Sequence, residues 1–280
     1  MNARIRKAVN KNGLQVGLIG SPYDLTYDYD HIGSTSKSLL ELIEGTHPFC
    51  SKIARAKQPM IIVGSSVFNG EEGAELYKAV LKLTKEGGFI SESKNWNGFN
   101  VLHKNVGTIN ALELGIEPNL KLNPKEAKIN ILLGYDNIEN NQFDKDSFNI
   151  YIGSHGDKGS EMANVVLPGA TFYEKSATYV STEGRVETTR HSALPPYLSR
   201  DDWEIIRAIS EVVNATLPYD TLFEVRNRLA EIAPYLLKTG VVEDHTFSKS
   251  IFSKLTSSDI TLTNFVFPDT HDVSKINNKF

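Results

Sequence analysis

One cysteine, Cys50, is the only thiol in these 280 residues. That scarcity excludes an intrachain disulfide and any iron–sulfur cluster held in the ordinary way by several thiolates. The lone thiol is read as packed or partly exposed, since free cysteine behaves as a small hydrophobe. Long apolar runs are also missing, and a bilayer crossing needs roughly 18 or more consecutive apolar residues, so no membrane span is expected. Nor is there a basic excess: 30 Lys and Arg stand against 34 Asp and Glu, a net charge of -4. Phosphate backbones require cations concentrated on one face, which makes nucleic acid a poor partner. There is no GxGxxG at the first strand, no GxxxxGK[ST] and no HExxH, so a dinucleotide fingerprint, a phosphate-binding P-loop and a zinc-hydrolase helix all lack their residues.

What is present has the balance of an ordinary globular protein, 40% hydrophobic and 23% charged. The length admits one large unit with a tail or two small ones. We read residues 1–240 as one α/β domain and 241–280, rich in Ser, Thr and Asp beyond Gly240, as an extended tail. Short β-branched runs alternate with helical stretches, the rhythm of βαβ units. Strands are expected at 16–20, 60–64, 129–133 and 148–152, each finishing in or beside glycine, as strand ends of a Rossmann-like, mostly parallel sheet flanked by helices require. A helix over 71–85 places Leu76, Val80 and Leu83 on one face, with Gly87-Gly88 stopping it. Asn164 to Gly169 reads as a short strand halted by Pro-Gly. Segments 177–180 and 186–189 flank Thr182-Glu183-Gly184-Arg185 as a hairpin, with Gly184 taking positive φ. Two helices follow, one opened by Ser199-Arg200-Asp201-Asp202 with Trp203, Ile206, Ile209 and Val213 facing inward. The other presents Leu222, Val225, Leu229 and Ile232. The basic start, Met1 to Lys7, precedes any acidic residue but lacks an apolar stripe. It is read as mature sequence running directly into the first strand rather than as a leader.

Each constellation that suggests chemistry has a plainer reading beside it. Gly64-Ser65-Ser66 after a strand could cradle a phosphate at a helix N-terminus, but a tight strand-to-helix turn uses the same residues. Ser154-His155-Gly156-Asp157 holds the residue types of a hydrolytic triad. Neighbours in one loop, however, rarely reach triad geometry, because nucleophile, base and acid normally converge from separate elements. The seven histidines, among them His31, His47, His103 and His191, are scattered without a Cys-His pairing, so no metal centre is indicated. Glu183 and Glu187 straddle the hairpin turn and could be drawn as paired acid and base; solvated hairpin charges or a partner contact are the commoner roles. No catalytic, cofactor-binding or metal-ligating residue is therefore assigned.

The passage Asn164 to Thr171, with Glu174-Lys175, Thr178 and Thr182-Glu183-Gly184-Arg185, resembles the molybdopterin oxidoreductase superfamily, which includes formate dehydrogenases and nitrate reductases. One branch fits better, the large iron–sulfur (75-kDa) subunit of respiratory complex I. Its likeness extends over Ile19 to Tyr27, Tyr29-Asp30-His31, Thr46-His47-Pro48-Phe49, His155-Gly156-Asp157, Glu174 to Val180, Leu217 to Leu222 and Val225 to Leu229. Asn2 to Lys7 resembles interior sequence of that subunit, so Met1 falls mid-way along the family's usual polypeptide. Ser176-Ala177 stands where catalytic relatives have Asp-Gly, and Asn164 replaces a usual Asp.

The resemblance implies a structural core part of the NADH-oxidising peripheral arm, supporting electron transfer from NADH to ubiquinone as a subunit of an H+-translocating NADH:ubiquinone reductase. It further implies a divided parent subunit, with this piece holding no cofactor of its own. The iron–sulfur clusters and FMN would lie in partner chains: the cluster-bearing N-terminal half as a separate chain, and other peripheral-arm subunits. The implied location is the matrix side of the mitochondrial inner membrane. A fragment of a catalytic molybdopterin enzyme such as formate dehydrogenase, or a nucleotide-binding Rossmann domain, are the alternatives.

Overall fold

The computed structural model describes residues 1–116, 123–136, 138, 142–242 and 262. They fall into two compact units, one holding residues 1–104 and Leu262, the other residues 105–242. The sequence reading takes residues 1–240 as a single α/β body, so this division is finer. Apart from Val241, Val242 and Leu262, the expected tail lies outside the described residues.

The first unit opens with helix α1 (Asn2–Asn12), where the sequence reading runs straight to a strand. Ile5, Ala8 and Val9, at spacings of three and four, form its half-buried side, and Gly13 ends it in the left-handed conformation. Strand β1 (Gly17–Ile19) pairs in parallel with β2 (Asp30–Gly33). Helices α2 (Ser36–Ile43) and α3 (Cys50–Arg55) follow. Next come β3 (Ile61–Gly64), α4 (Gly73–Glu86), a small hairpin of β4 (Ile90–Ser91) with β5 (Trp96–Asn97), and β6 (Phe99–Leu102), parallel to β3. The core forms where the apolar stripe of α4, Leu76, Ala79, Val80 and Leu83, meets Leu39 and Leu42 of α2 and Phe89. Cys50 and Leu262 pack against this cluster half-buried, so the thiol serves as a packed side chain.

The second unit carries α5 (Thr108–Glu113), then β7 (Ile129–Leu133), β8 (Phe148–Gly153) and β9 (Val165–Pro168) in one parallel sheet of order β7-β8-β9. Helix α6 (Lys158–Met162) makes the crossover from β8 to β9. The antiparallel pair β10 (Thr178–Val180) and β11 (Val186–Thr188) forms the expected hairpin, with Gly184 at φ 81°. Helices α7 (Asp202–Val212) and α8 (Leu222–Ile232) complete it. Pro168 closes β9 at an edge of the sheet, the position that tolerates a residue without an N–H.

The structure refines two expectations. The expected α/β class with parallel sheets flanked by helices holds, and the one mostly parallel sheet of the sequence reading is resolved, among the described residues, into separate parallel pairings: β1 with β2 and β3 with β6 in the first unit, β7-β8-β9 in the second. The partners β2 and β6 are short and partly polar, so they carry little of the apolar signal that announces a strand. On α7 the inward positions include Ile205 and Ser210, while Ile206 and Val213 face out. Adjacent isoleucines leave the helix phase open in sequence, and tertiary contacts fix it: Lys175 pairs with Asp202 at 2.6 Å, and buried Ser210 accepts the Leu217 N–H at 3.0 Å. Replacing fully buried Leu76 by Ala empties the centre of the first core, and denaturant unfolding is expected to show a loss of about 2–5 kcal/mol.

Candidate functional site

The segment from Gly153 to Asp202 carries most of the residues singled out for chemistry, and here the structure spends their polar groups on one another. Asp157, the acid of the supposed triad, is the N-cap of α6, accepting from Gly159 N at 2.9 Å and Ser160 N at 3.2 Å. Its other oxygen accepts from the Tyr151 hydroxyl. Burial, with this bond to a carboxylate, pushes the Tyr151 phenol far above its ordinary range. Ser154 Oγ and His155 Nδ1 do meet at 2.9 Å, but on the exposed surface, and the acid that would orient the imidazole is committed elsewhere. A Cβ at Gly159 would sit 2.4 Å from the Tyr151 ring, so glycine there lets α6 lie on the tyrosine.

The other candidates disperse in the same way. Gly64 leads into a short 3-10 turn, Ser65–Phe68, not into a helix N-terminus that could hold a phosphate. His31 Nε2 lies 2.8 Å from the Gly20 carbonyl, and His47 Nδ1 accepts from Phe49 N. His191 Nε2 approaches Asp201 at 3.7 Å, and no group of three or more metal-ligating side chains gathers among the described residues. Glu183 and Glu187 are exposed, with Glu187 4.0 Å from Arg185, as hairpin charges usually are.

The strand end, the Pro-Gly turn and the start of α7 are stitched by backbone. Gly169 N donates to Gly153 O at 2.9 Å, Arg200 N to Pro168 O at 3.2 Å and Ala170 N to Arg200 O at 2.8 Å. Glu174 accepts from Thr171 N, Lys175 pairs with Asp202, and Thr189 Oγ1 donates to the Lys175 carbonyl while accepting from Ala177 N. Asn110 of α5 completes the edge of β10, donating to Thr178 O at 2.7 Å and accepting from Val180 N at 2.8 Å. Val180 and Val186 of the hairpin are buried with Ala233 and Leu236. Neither Asn110 nor Tyr151 stands out in the sequence, because an amide in a short helix and an aromatic in a strand look like any others.

A pterin cofactor is held by polar groups that converge on a cavity. Around Asn164 and from Thr171 to Thr189 the polar side chains named above are turned onto backbone or into ion pairs, Asn164 Oδ1 itself accepting from Asn149 N at 2.7 Å. A cavity of about 350 Å³ in the second unit is lined by residues between Pro218 and Glu231. From Asn164 to Thr189 those polar groups hold the fold rather than converge on a cavity.

With this geometry, the relationship to known proteins is direct. The chain belongs to the molybdopterin oxidoreductase family, whose model matches residues 1–212. Within that class it is similar to the 78 kDa subunit of NADH-ubiquinone oxidoreductase of Candida albicans, 40% identical over 96% of this chain and 37% of the relative. It is 41% identical to the 75 kDa subunit of Reclinomonas americana over 87% of this chain and 36% of the relative. The NADH dehydrogenase [ubiquinone] iron-sulfur protein 1 of Solanum tuberosum matches at 39% over 90% and 34%. The chain thus spans about a third of the length of the curated relatives it matches.

Asp201, which caps α7, is 8% exposed, and that burial raises its carboxyl above the ordinary range, opposed by His191. A raised acid stabilises the fold while protonated, and this contribution is lost as pH rises through the folded-state value. Asp201→Asn removes the charge and keeps a competent cap. Relative to the parent, its melting temperature is expected to rise from acid toward neutral pH, as thermal unfolding at a series of pH values would record.

Proposed function

We propose that this chain is a structural core part of the NADH-oxidising peripheral arm of respiratory complex I, on the matrix side of the mitochondrial inner membrane. It supports electron transfer from NADH to ubiquinone without a redox centre of its own. The observation that carries this reading is the 40% identity over 96% of the chain to a subunit of NADH-ubiquinone oxidoreductase, joined to a single cysteine. One thiolate cannot replace the several that hold an iron–sulfur cluster. The clusters and FMN then belong to partner chains and to the cluster-bearing portion of the relatives that this chain does not match. The chain acts by packing: it holds neighbouring cluster-bearing protein at fixed separations so that electrons pass from flavin toward quinone. As part of an H+-translocating NADH:ubiquinone reductase it contributes no catalytic residue.

The same stitching that serves packing argues against the catalytic molybdopterin alternative. The short 3-10 turn after Gly64 argues against a free-standing nucleotide-binding domain. Native electrophoresis of detergent-solubilised mitochondria tests the proposal. The chain is expected to co-migrate with NADH dehydrogenase activity, and its depletion to lower the amount of assembled complex while the turnover of each remaining complex stays the same. Absence from the active band would sink it. In parallel, NAD(H) or ATP is expected to leave the melting temperature of the chain unmoved, and a molybdenum assay to find no stoichiometric metal bound through it; tight nucleotide binding would raise that temperature.

A further inference from the structure

Between β11 and α7 the second unit carries a short loop whose apolar side chains point away from the protein. Leu194 is 85% exposed, Tyr197 99% and Leu198 77%, and Phe172 and Tyr173 beside them are more than half exposed. The backbone beneath these side chains is nevertheless fixed. Ser192 N donates to Tyr173 O at 2.8 Å, Ser199 N closes a turn onto Pro196 O at 3.0 Å, and the Arg200 guanidinium donates to the Ser199 carbonyl at 2.8 Å. The adjacent prolines Pro195 and Pro196 stiffen the loop further. Tyr197 is held at φ 49°, a left-handed conformation uncommon for a bulky residue. Strain of this kind persists where the surroundings over-determine it and gathers at functional surfaces. The Phe172 and Tyr173 rings lie 4.1 Å apart, centroid to centroid, at the loop's base.

We infer that this loop is a preformed docking knob for the portion of the family polypeptide that this chain does not match, whether that portion is carried on the same or a separate polypeptide. The inference rests on the proposed function and adds the surface through which it operates. Three observations select the occupant. The relatives extend over nearly three times the length matched here, so a large body of the same subunit has no counterpart in this chain. The knob has the composition of an interface anchor, Tyr, Phe and Leu with Arg at the margin, on a backbone that loses little entropy on binding. Its rim carries two exposed cations, Arg190 and Arg200; residues 188–200 include no acid, the nearby Asp202 pairs with Lys175, and Asp201 is buried beside His191. The complementary surface is an apolar recess rimmed by carboxylates, with an acceptor for the Tyr197 hydroxyl.

Photo-cross-linking from Tyr197→p-benzoylphenylalanine in the assembled complex tests this, with products identified by mass spectrometry. Cross-links to sequence corresponding to the unmatched portion of the relatives support it; cross-links to another subunit, to lipid, or to nothing overturn it. The paired substitution Leu194→Asp with Tyr197→Asp alters only solvent-facing side chains, so the melting temperature of the chain should stay near that of the parent. Incorporation into the complex is expected to fall about tenfold or more, the loss typical of removing an interface anchor. A variant that melts like the parent and assembles like it overturns the knob while leaving the proposed function standing. Failure of the unmodified chain to accompany NADH dehydrogenase activity removes the proposed function itself. Flotation of the chain with anionic phospholipid vesicles, lost in the variant, would overturn the protein partner in favour of a membrane.

Discussion

The second unit depends on three backbone segments meeting where no side chain can intervene. Gly153 at the end of β8, Gly169 after β9 and Arg200 before α7 share hydrogen bonds that turn separate strand ends into one surface. A Cβ on Gly169 would stand 2.9 Å from a carboxylate oxygen of Asp202, the residue that pairs with Lys175. The strand end, the helix start and the ion pair are therefore one packing problem. Because buried N–H and C=O groups each need a partner, the stitching is obligatory rather than decorative. It also explains where the polar side chains went. Glu174, Lys175, Thr189 and Asp157 hold loops and caps in place, which leaves none of them directed at a bound molecule.

Much of this was legible in the sequence, for physical reasons that can be named. Leu76, Val80 and Leu83 announce α4 because a helix that buries one face must repeat apolar residues every three or four positions. Gly184 announces the hairpin because few other residues accept its positive φ. Periodicity is silent about pairing, however, since which strand lies beside which is decided by contacts distant in sequence. Hence β1, β3, β7 and β8 are legible as strands of a parallel α/β fold, while their pairing with the short β2 and β6 is not. The phase of α7 failed for a related reason: Ile205 and Ile206 are chemically alike, and only Asp202 and Ser210, through their partners, say which of them turns inward. The first helix gives little signal, because Asn, Arg and Lys dominate it and its apolar side is only Ile5, Ala8 and Val9.

The candidate site was legible in a different sense. Ser, His and Asp within four residues invite a catalytic reading from composition alone, and geometry decides the matter. A carboxylate that already accepts two backbone N–H groups and a buried phenol has three of its roughly four acceptor sites engaged and is held at the α6 cap rather than against the imidazole. What the sequence could not announce was Asn110, whose side-chain amide completes the β10 edge much as a strand would, and Tyr151, whose ring fixes the seat of α6. Both are structural solutions to local hydrogen-bonding and packing demands, and such solutions leave no pattern in neighbouring positions.

The strand ends and loops of the second unit are held by backbone hydrogen bonds and an ion pair, yet Leu194, Tyr197 and Leu198 stand in water. Scattered apolar exposure is ordinary on any surface. Contiguous exposure on a backbone held by prolines, a turn and a guanidinium is different, because a loop free to collapse would bury at least one of those side chains. Rigidity here costs the isolated chain the burial it could otherwise gain, and that cost is recovered only where another surface receives the loop. The lone cysteine follows the opposite course: Cys50 packs half-buried against the first core and serves there as volume.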